Sequence, residues 1–280
     1  SNPLCMVAKA QTLLAMDEPE KAAELLERVK DDSPAEPRRT LLAIRVHVRR
    51  GRLNLARAEL RKLALGLGSI RALAKARIEL AAGLPHSALK TLRAVQDKGL
   101  VALSLRGTAH ARAGELKSAA RQLRAALAIY AKHADSLWAL GRLHQRLGEA
   151  AAARAALKAS AEANPHRLRT RIDYGWLLLA LGKHQTAKRA FAAVLARHQH
   201  HLVALEGHTR ARVELRDATV DSDLALLERR GHRRVARLLR ARMSLLSGRS
   251  KKALAQLNKV GARWLAGDPQ ARLWRADALR

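Results

Sequence analysis

Residues 134–167 read ADSLWALGRLHQRLGEAAAARAALKASAEANPHR, and this stretch decides the fold. Leu137 and Leu140 stand at its fourth and seventh places, Gly141 at the eighth, Gly148 at the fifteenth, Ala153 at the twentieth and Leu157 at the twenty-fourth, with Pro165 near its end. That is the helical spacing of two amphipathic segments separated by a glycine turn. One period later come Arg171, Tyr174-Gly175, Gly182, Ala187 and Phe191; one period earlier stand Leu103, Gly107, Gly114, Ala119 and Leu123. A unit of about 34 residues cannot bury its apolar face alone, so copies must stack on one another.

Copies fall at about 3–36, 37–68, 69–99, 100–133, 134–167, 168–201, 202–233 and 234–269, with a partial or capping helix at 270–280. The eighth place holds Ala10, Ile44, Ala76, Gly107, Gly141, Gly175, Thr209 and Ala241. Small residues there, and Ala at the twentieth place in seven of the eight copies, let helix backbones approach closely. Leu or Phe at the twenty-fourth place fills the space between hairpins. Gly at the fifteenth supplies the left-handed backbone that ends a helix, although the first and seventh copies carry Asp17 and Arg216 instead. Pro34 and Pro165 stop second helices. Gly66, Gly68 and Gly99 loosen the joints of the shortened second and third copies. The seventh copy departs from the pattern, because Asp221, Ala225 and Glu228 occupy places that should face a core, which predicts a short, shifted or bent helix there.

The pattern resembles the tetratricopeptide repeat (TPR) over nearly the whole chain; the pentatricopeptide repeat matches the small-residue places less well. The resemblance implies an all-α, right-handed superhelical solenoid of stacked antiparallel helix pairs, taken as one domain over 1–280. It also implies a concave groove lined by the second, fifth, ninth and twelfth places of each first helix, and a non-enzymatic interaction scaffold.

Composition agrees with helices. Hydrophobic residues make up 48% of the chain but aromatic residues only 2%, so the core is built from Ala and Leu, both strong helix formers. The formal charge is +30; residues 1–34 carry net −3, leaving +33 on the remainder. Such a surface attracts anions. The ninth place reads Gln11, Arg45, Arg77, Thr108, Arg142, Trp176, Arg210 and Arg242, five arginines in eight. Arg38, Arg146 and Arg169 lie close by on the same helices. The expected partner-binding set is therefore Arg45, Arg77, Arg142, Arg210, Arg242, Arg146 and Arg169, with Trp138 and Trp176 either as apolar anchors or as packing between hairpins. Guanidinium forks suit carboxylate or phosphate. An alternative is that arginine simply collects on solvated faces, where Asp135, Asp173, Glu206 and Glu214 also fall.

An acidic protein or peptide segment is the favoured partner. Nucleic acid is an alternative that charge supports, while scarce aromatics leave few stacking platforms. An anionic polysaccharide or membrane, contacted by a bacterial envelope or secretion scaffold, is a third. No small-molecule substrate, cofactor or metal is expected. His198-Gln199-His200-His201 reads as a loop without a completing ligand set, and the sequence holds no phosphate-binding glycine loop, HExxH or nucleophile elbow. One cysteine, Cys5, excludes an intrachain disulfide framework and leaves cytoplasm and bacterial periplasm both open. The chain reads as a fragment of a larger protein.

Overall fold

A computed structural model describes residues 2–29, 36–63, 67–261, 265 and 267–279. Among them every regular element is a helix. The pairs are α1 (Pro3–Ala15) with α2 (Pro19–Glu27), α3 (Glu36–Arg49) with α4 (Leu53–Lys62), α5 (Gly68–Ala81) with α6 (Pro85–Arg93), and α7 (Leu100–Ala113) with α8 (Leu116–Ile129). They continue as α9 (Ala134–Arg146) with α10 (Ala150–Ala163), α11 (Leu168–Ala180) with α12 (His184–Leu195), α13 (Leu202–Glu214) with α14 (Asp221–Arg229), and α15 (Arg233–Leu246) with α16 (Ser250–Asn258). A last helix, α17 (Pro269–Leu279), packs against α15 and α16. Eight hairpins thus follow the expected copies, with α17 in the place expected for a further first helix. None of the described helices is long and apolar enough to cross a membrane. Pro34 and Gly66 lie outside the described residues.

The chain divides into two compact units, Ser1–Thr170 and Arg171–Arg280, with the boundary in the first turn of α11. Within each, second helices pack against the first helix of the next copy, and first helices also touch each other in series. The alanines of the twentieth place, from Ala22 through Ala253, are fully buried wherever they occur. The eighth place meets the twenty-fourth of the same hairpin: a methyl group added to Gly107 would stand 2.6 Å from Leu123 Cγ, and one on Gly141 2.7 Å from Leu157 Cγ. Glycine at these two places lets the facing leucine sit closer than a methyl would allow, since side-chain carbons need about 3.5–4.0 Å.

At the fifteenth place the fold is stronger than the residue. Asp17 and Arg216 adopt the left-handed conformation, at φ 61° and 55°, just as the glycines of the other copies do. In the seventh copy the turn resolves the departure seen in the sequence. The second helix begins at Asp221, three places later than in the other copies, and its inward row falls one place earlier, so Val220, Leu224 and Leu227 are buried while Asp221, Ala225 and Glu228 turn away from the core. Asp217 holds this altered turn. Its carboxylate accepts from Thr219 N at 3.0 Å and from Arg212 Nε at 2.9 Å. Arg212 also reaches Asp223 at 2.7 Å. These contacts, the Arg212 hydrogen bond foremost, hold the Asp217 carboxyl far below the usual range.

Candidate partner-binding site

Many arginines serve helix ends. The last carbonyls of a helix lack intrahelical donors and carry the negative end of its dipole, and six guanidiniums meet that need. Arg39 donates to Leu26 O, Arg71 to Leu63 O at 2.9 Å, Arg106 to Leu92 O at 3.3 Å and to carbonyls of the segment that follows, and Arg237 to Lys259 O at 2.9 Å. Arg112 and Arg146 bind carbonyls one copy back, Leu80 O and Ala111 O. Arg146, a residue of the expected partner-binding set, is thus engaged in tying α9 to α7. No pattern in the sequence separates these arginines from exposed ones, because the carbonyls they reach are fixed only once hairpins stack.

The second unit offers a balanced inner face. Arg242 makes a bidentate pair with Glu214 at 2.9 and 3.0 Å, which raises the Arg242 pKa. Arg210 lies over the rings of Trp176 and Trp274, 5.9 and 5.4 Å from their centroids, within the range of a cation–π contact. Burial lowers its pKa, against the opposing pull of Glu206, Glu214 and Asp268. A cavity of about 110 Å³ is lined by Glu206, Arg210, Leu238, Asp268 and Trp274 among others, and burial raises the Glu206 carboxyl. Trp176 also meets Phe191 edge-on at 5.5 Å. Trp274 of α17 is the platform shared by Arg210 and Arg242.

The first unit is different. Its five hairpins come round on themselves: Asn164 Nδ2 donates to Ala15 O at 3.3 Å, and Leu168 N donates to the Asp17 carboxylate at 3.0 Å. The turn of the first hairpin therefore meets the segment that leaves the fifth. First helices line the inside of this closed turn. Arg45 and Arg77 both stand there, and among the described residues neither has a carboxylate partner. Arg77 is half-buried and its pKa falls to about 10, through burial first and the charges of Arg45 and Arg49 second. Arg45 keeps an exposed surface, yet the walls around it strip enough water to lower its pKa as well. Arg49 is bridged to Asp17 at 2.6 Å. Arg167, missed by the sequence reading because it lies in a connecting segment, pairs with Asp135 while its Nε is buried without a hydrogen-bond partner. Its pKa also falls to about 10, by burial and by Arg49, Arg169 and Arg77. Trp138 is buried at 8% exposure, with Arg169 4.3 Å and Arg167 5.6 Å from its ring centroid. Its ring packs between copies and carries cations on its face. Arg142 and Arg38 are both exposed.

The histidine run is a turn in which His201 Nδ1 accepts from Ala204 N at 3.3 Å, capping α13, and His200 contacts Arg230. It serves the joint between hairpins.

Models of the tetratricopeptide repeat match residues 73–134, 104–167 and 168–193. The chain is a tetratricopeptide repeat protein. Among solved structures, TPR-like folds recur. One is a chain of the APC/C hetero-tetramer Cut9–Hcn1, with a TM-score of 0.74 at 17% identity over 98% of this protein; the TPR chain spans 55% of that one. Another is Pseudomonas aeruginosa pilF, with a TM-score of 0.60 at 17% identity, covering 76% of this protein and 98% of its own chain. Identities this low establish the fold alone. A search of curated protein sequences gives no match. Family and fold together support a protein-interaction scaffold.

Proposed function

We propose that this TPR protein is a non-enzymatic scaffold that holds an acidic segment of a partner protein on the inner face of its first unit. The observation that carries the reading is the uncompensated pair Arg45 and Arg77. Each loses hydration without gaining a described carboxylate, which is a cost the folded chain bears until an anion arrives. The second unit supplies its own acids through Glu206, Glu214 and Asp268, so its arginines have less to offer a ligand. Arg45, Arg77, Arg142 and Arg169 are the residues expected to make contact, with Trp138 as the platform of Arg169; Arg210, Arg242 and Trp176 contribute less than their ladder position implies.

The test is fluorescence anisotropy with a labelled Glu-rich peptide. Arg45→Glu with Arg77→Glu should abolish binding, and Arg210→Glu with Arg242→Glu should reduce it only modestly. Equal loss in both double variants, or none in either, refutes the assignment to the first unit. Nucleic acid stands as the second reading because of the net charge of +30. It requires that an oligonucleotide bind more tightly than the peptide at physiological salt and that the affinity fall steeply as salt is raised.

A further inference from the structure

Beside the place where the first and fifth hairpins meet, guanidiniums from three separate elements come close enough to repel one another: Arg45 and Arg49 from α3, Arg77 from α5, and Arg167 from the segment before α11. The convergence is held by the hydrogen bonds that close the turn, Asn164 to Ala15 and Leu168 to Asp17. Arg77 is its hub, close enough to feel Arg45 and Arg49 and to act in turn on Arg167 and on His133, the residue that opens α9. Against these four guanidiniums the described residues set two carboxylates, Asp17 on Arg49 and Asp135 on Arg167. Arg169 lies on Trp138 to one side.

We infer that this convergence is a binding site for a phosphoryl dianion, with the guanidiniums of Arg45 and Arg77 as its principal donors and the charge of Arg167 behind them. A single carboxylate offsets half or less of the positive excess and presents acceptors in one plane. A phosphate monoester carries close to two charges and three acceptor oxygens pointing in different directions, which suits forks arriving from three elements. The Arg167 Nε, buried without a hydrogen-bond partner, shows that the fold leaves its own cations here incompletely satisfied. The cavity in the second unit lacks this character, because Glu206 and Asp268 line it beside Arg210. The inference refines the reading that the first unit binds an acidic segment, by naming the group that segment presents at its tightest point.

Two probes separate the sources of such a group. One is inorganic phosphate; the other is a Glu-Gly-Ser peptide with and without a phosphate on one serine. The phosphorylated peptide should bind at least about tenfold more tightly than its unmodified twin, as charge-assisted bidentate contacts imply. That gain should vanish in Arg77→Gln and persist in Arg242→Gln. Inorganic phosphate should compete and should raise the melting temperature of the parent but not of Arg77→Gln. Because Arg77→Gln removes a poorly solvated charge, it should melt no lower than the parent when no anion is present, so its readout is not confounded by unfolding; Arg45→Gln serves as an independent second variant. Equal binding of the two peptides with no phosphate effect overturns the phosphoryl site and leaves the acidic-segment reading intact. Binding of phosphate alone, with neither peptide held, keeps the site and refutes the scaffold reading of this face. No response to any probe refutes both.

Discussion

Phe191 should be the most sensitive packing point of the second unit. Leucine fills this place in most other copies, and the phenyl ring is accommodated here by two glycines. Its ring edge stands 2.7 Å from the carbon that a methyl would add at Gly175 and 2.2 Å from the one it would add at Gly207. The ring is fully buried, and Trp176 closes one side edge-on. Gly207→Ala would force the ring to move by more than about 1 Å to regain van der Waals distance, with no free volume to enter. Overpacking of this kind costs about 1–3 kcal/mol. The helical propensity of Ala returns about 1 kcal/mol, so the net loss should be about 1–2 kcal/mol. Phe191→Leu alone should cost about 1 kcal/mol through the space it vacates. In the double variant the new methyl enters that space, so the two losses should fail to add by about 1 kcal/mol or more. Urea unfolding of the four proteins, followed by circular dichroism and fitted to a nearest-neighbour repeat model because hairpin arrays need not unfold in one step, measures the coupling. A Gly207→Ala protein as stable as the parent, or losses that add to within about 0.5 kcal/mol, would refute the argument.

Three further outcomes follow from the same geometry. Arg216→Gly should stabilise the second unit by about 1 kcal/mol, since Arg216 holds φ 55° that glycine adopts freely; Asp17→Gly, at φ 61°, should instead destabilise the first unit because it removes the contacts to Arg49 and Leu168, and thermal melts compare the two. The His133 pKa is lowered by burial and by Arg167 and Arg77. The unfolded chain therefore takes up this proton more readily than the folded one, so stability of the first unit should decline as pH falls below the ordinary histidine value of 6.5, and His133→Asn should flatten that part of a urea-midpoint series against pH. Glu214→Gln should leave Arg242 without its bidentate partner and raise affinity of the second unit for the Glu-rich peptide, which anisotropy would show as a smaller difference between the units.

The linear pattern was enough for the helices, the hairpins and their order. Ala and Gly at the eighth and twentieth places, glycine at the fifteenth and leucine at the twenty-fourth act within one hairpin or between adjacent ones, so local spacing carries their meaning. Even the odd seventh copy announced itself through Asp221, Ala225 and Glu228, although its remedy, a buried row moved one place earlier to Val220, Leu224 and Leu227, needed the turn made by Asp217 and Arg212. The arginine ladder was visible as a row of like residues and no more. Arg146 turned out to reach a helix end, Arg242 to be locked by Glu214, and Arg45 and Arg77 to stand uncompensated. Arg167 joined them from a segment with no repeat signature at all. A charge acquires its role from what surrounds it, and those surroundings come from residues far away along the chain: Asp17 beside Leu168, Ala15 beside Asn164. Periodicity can state which side chains share a helix face. Only the closure of five hairpins onto the first decided which of those cations would lose their water without gaining an anion.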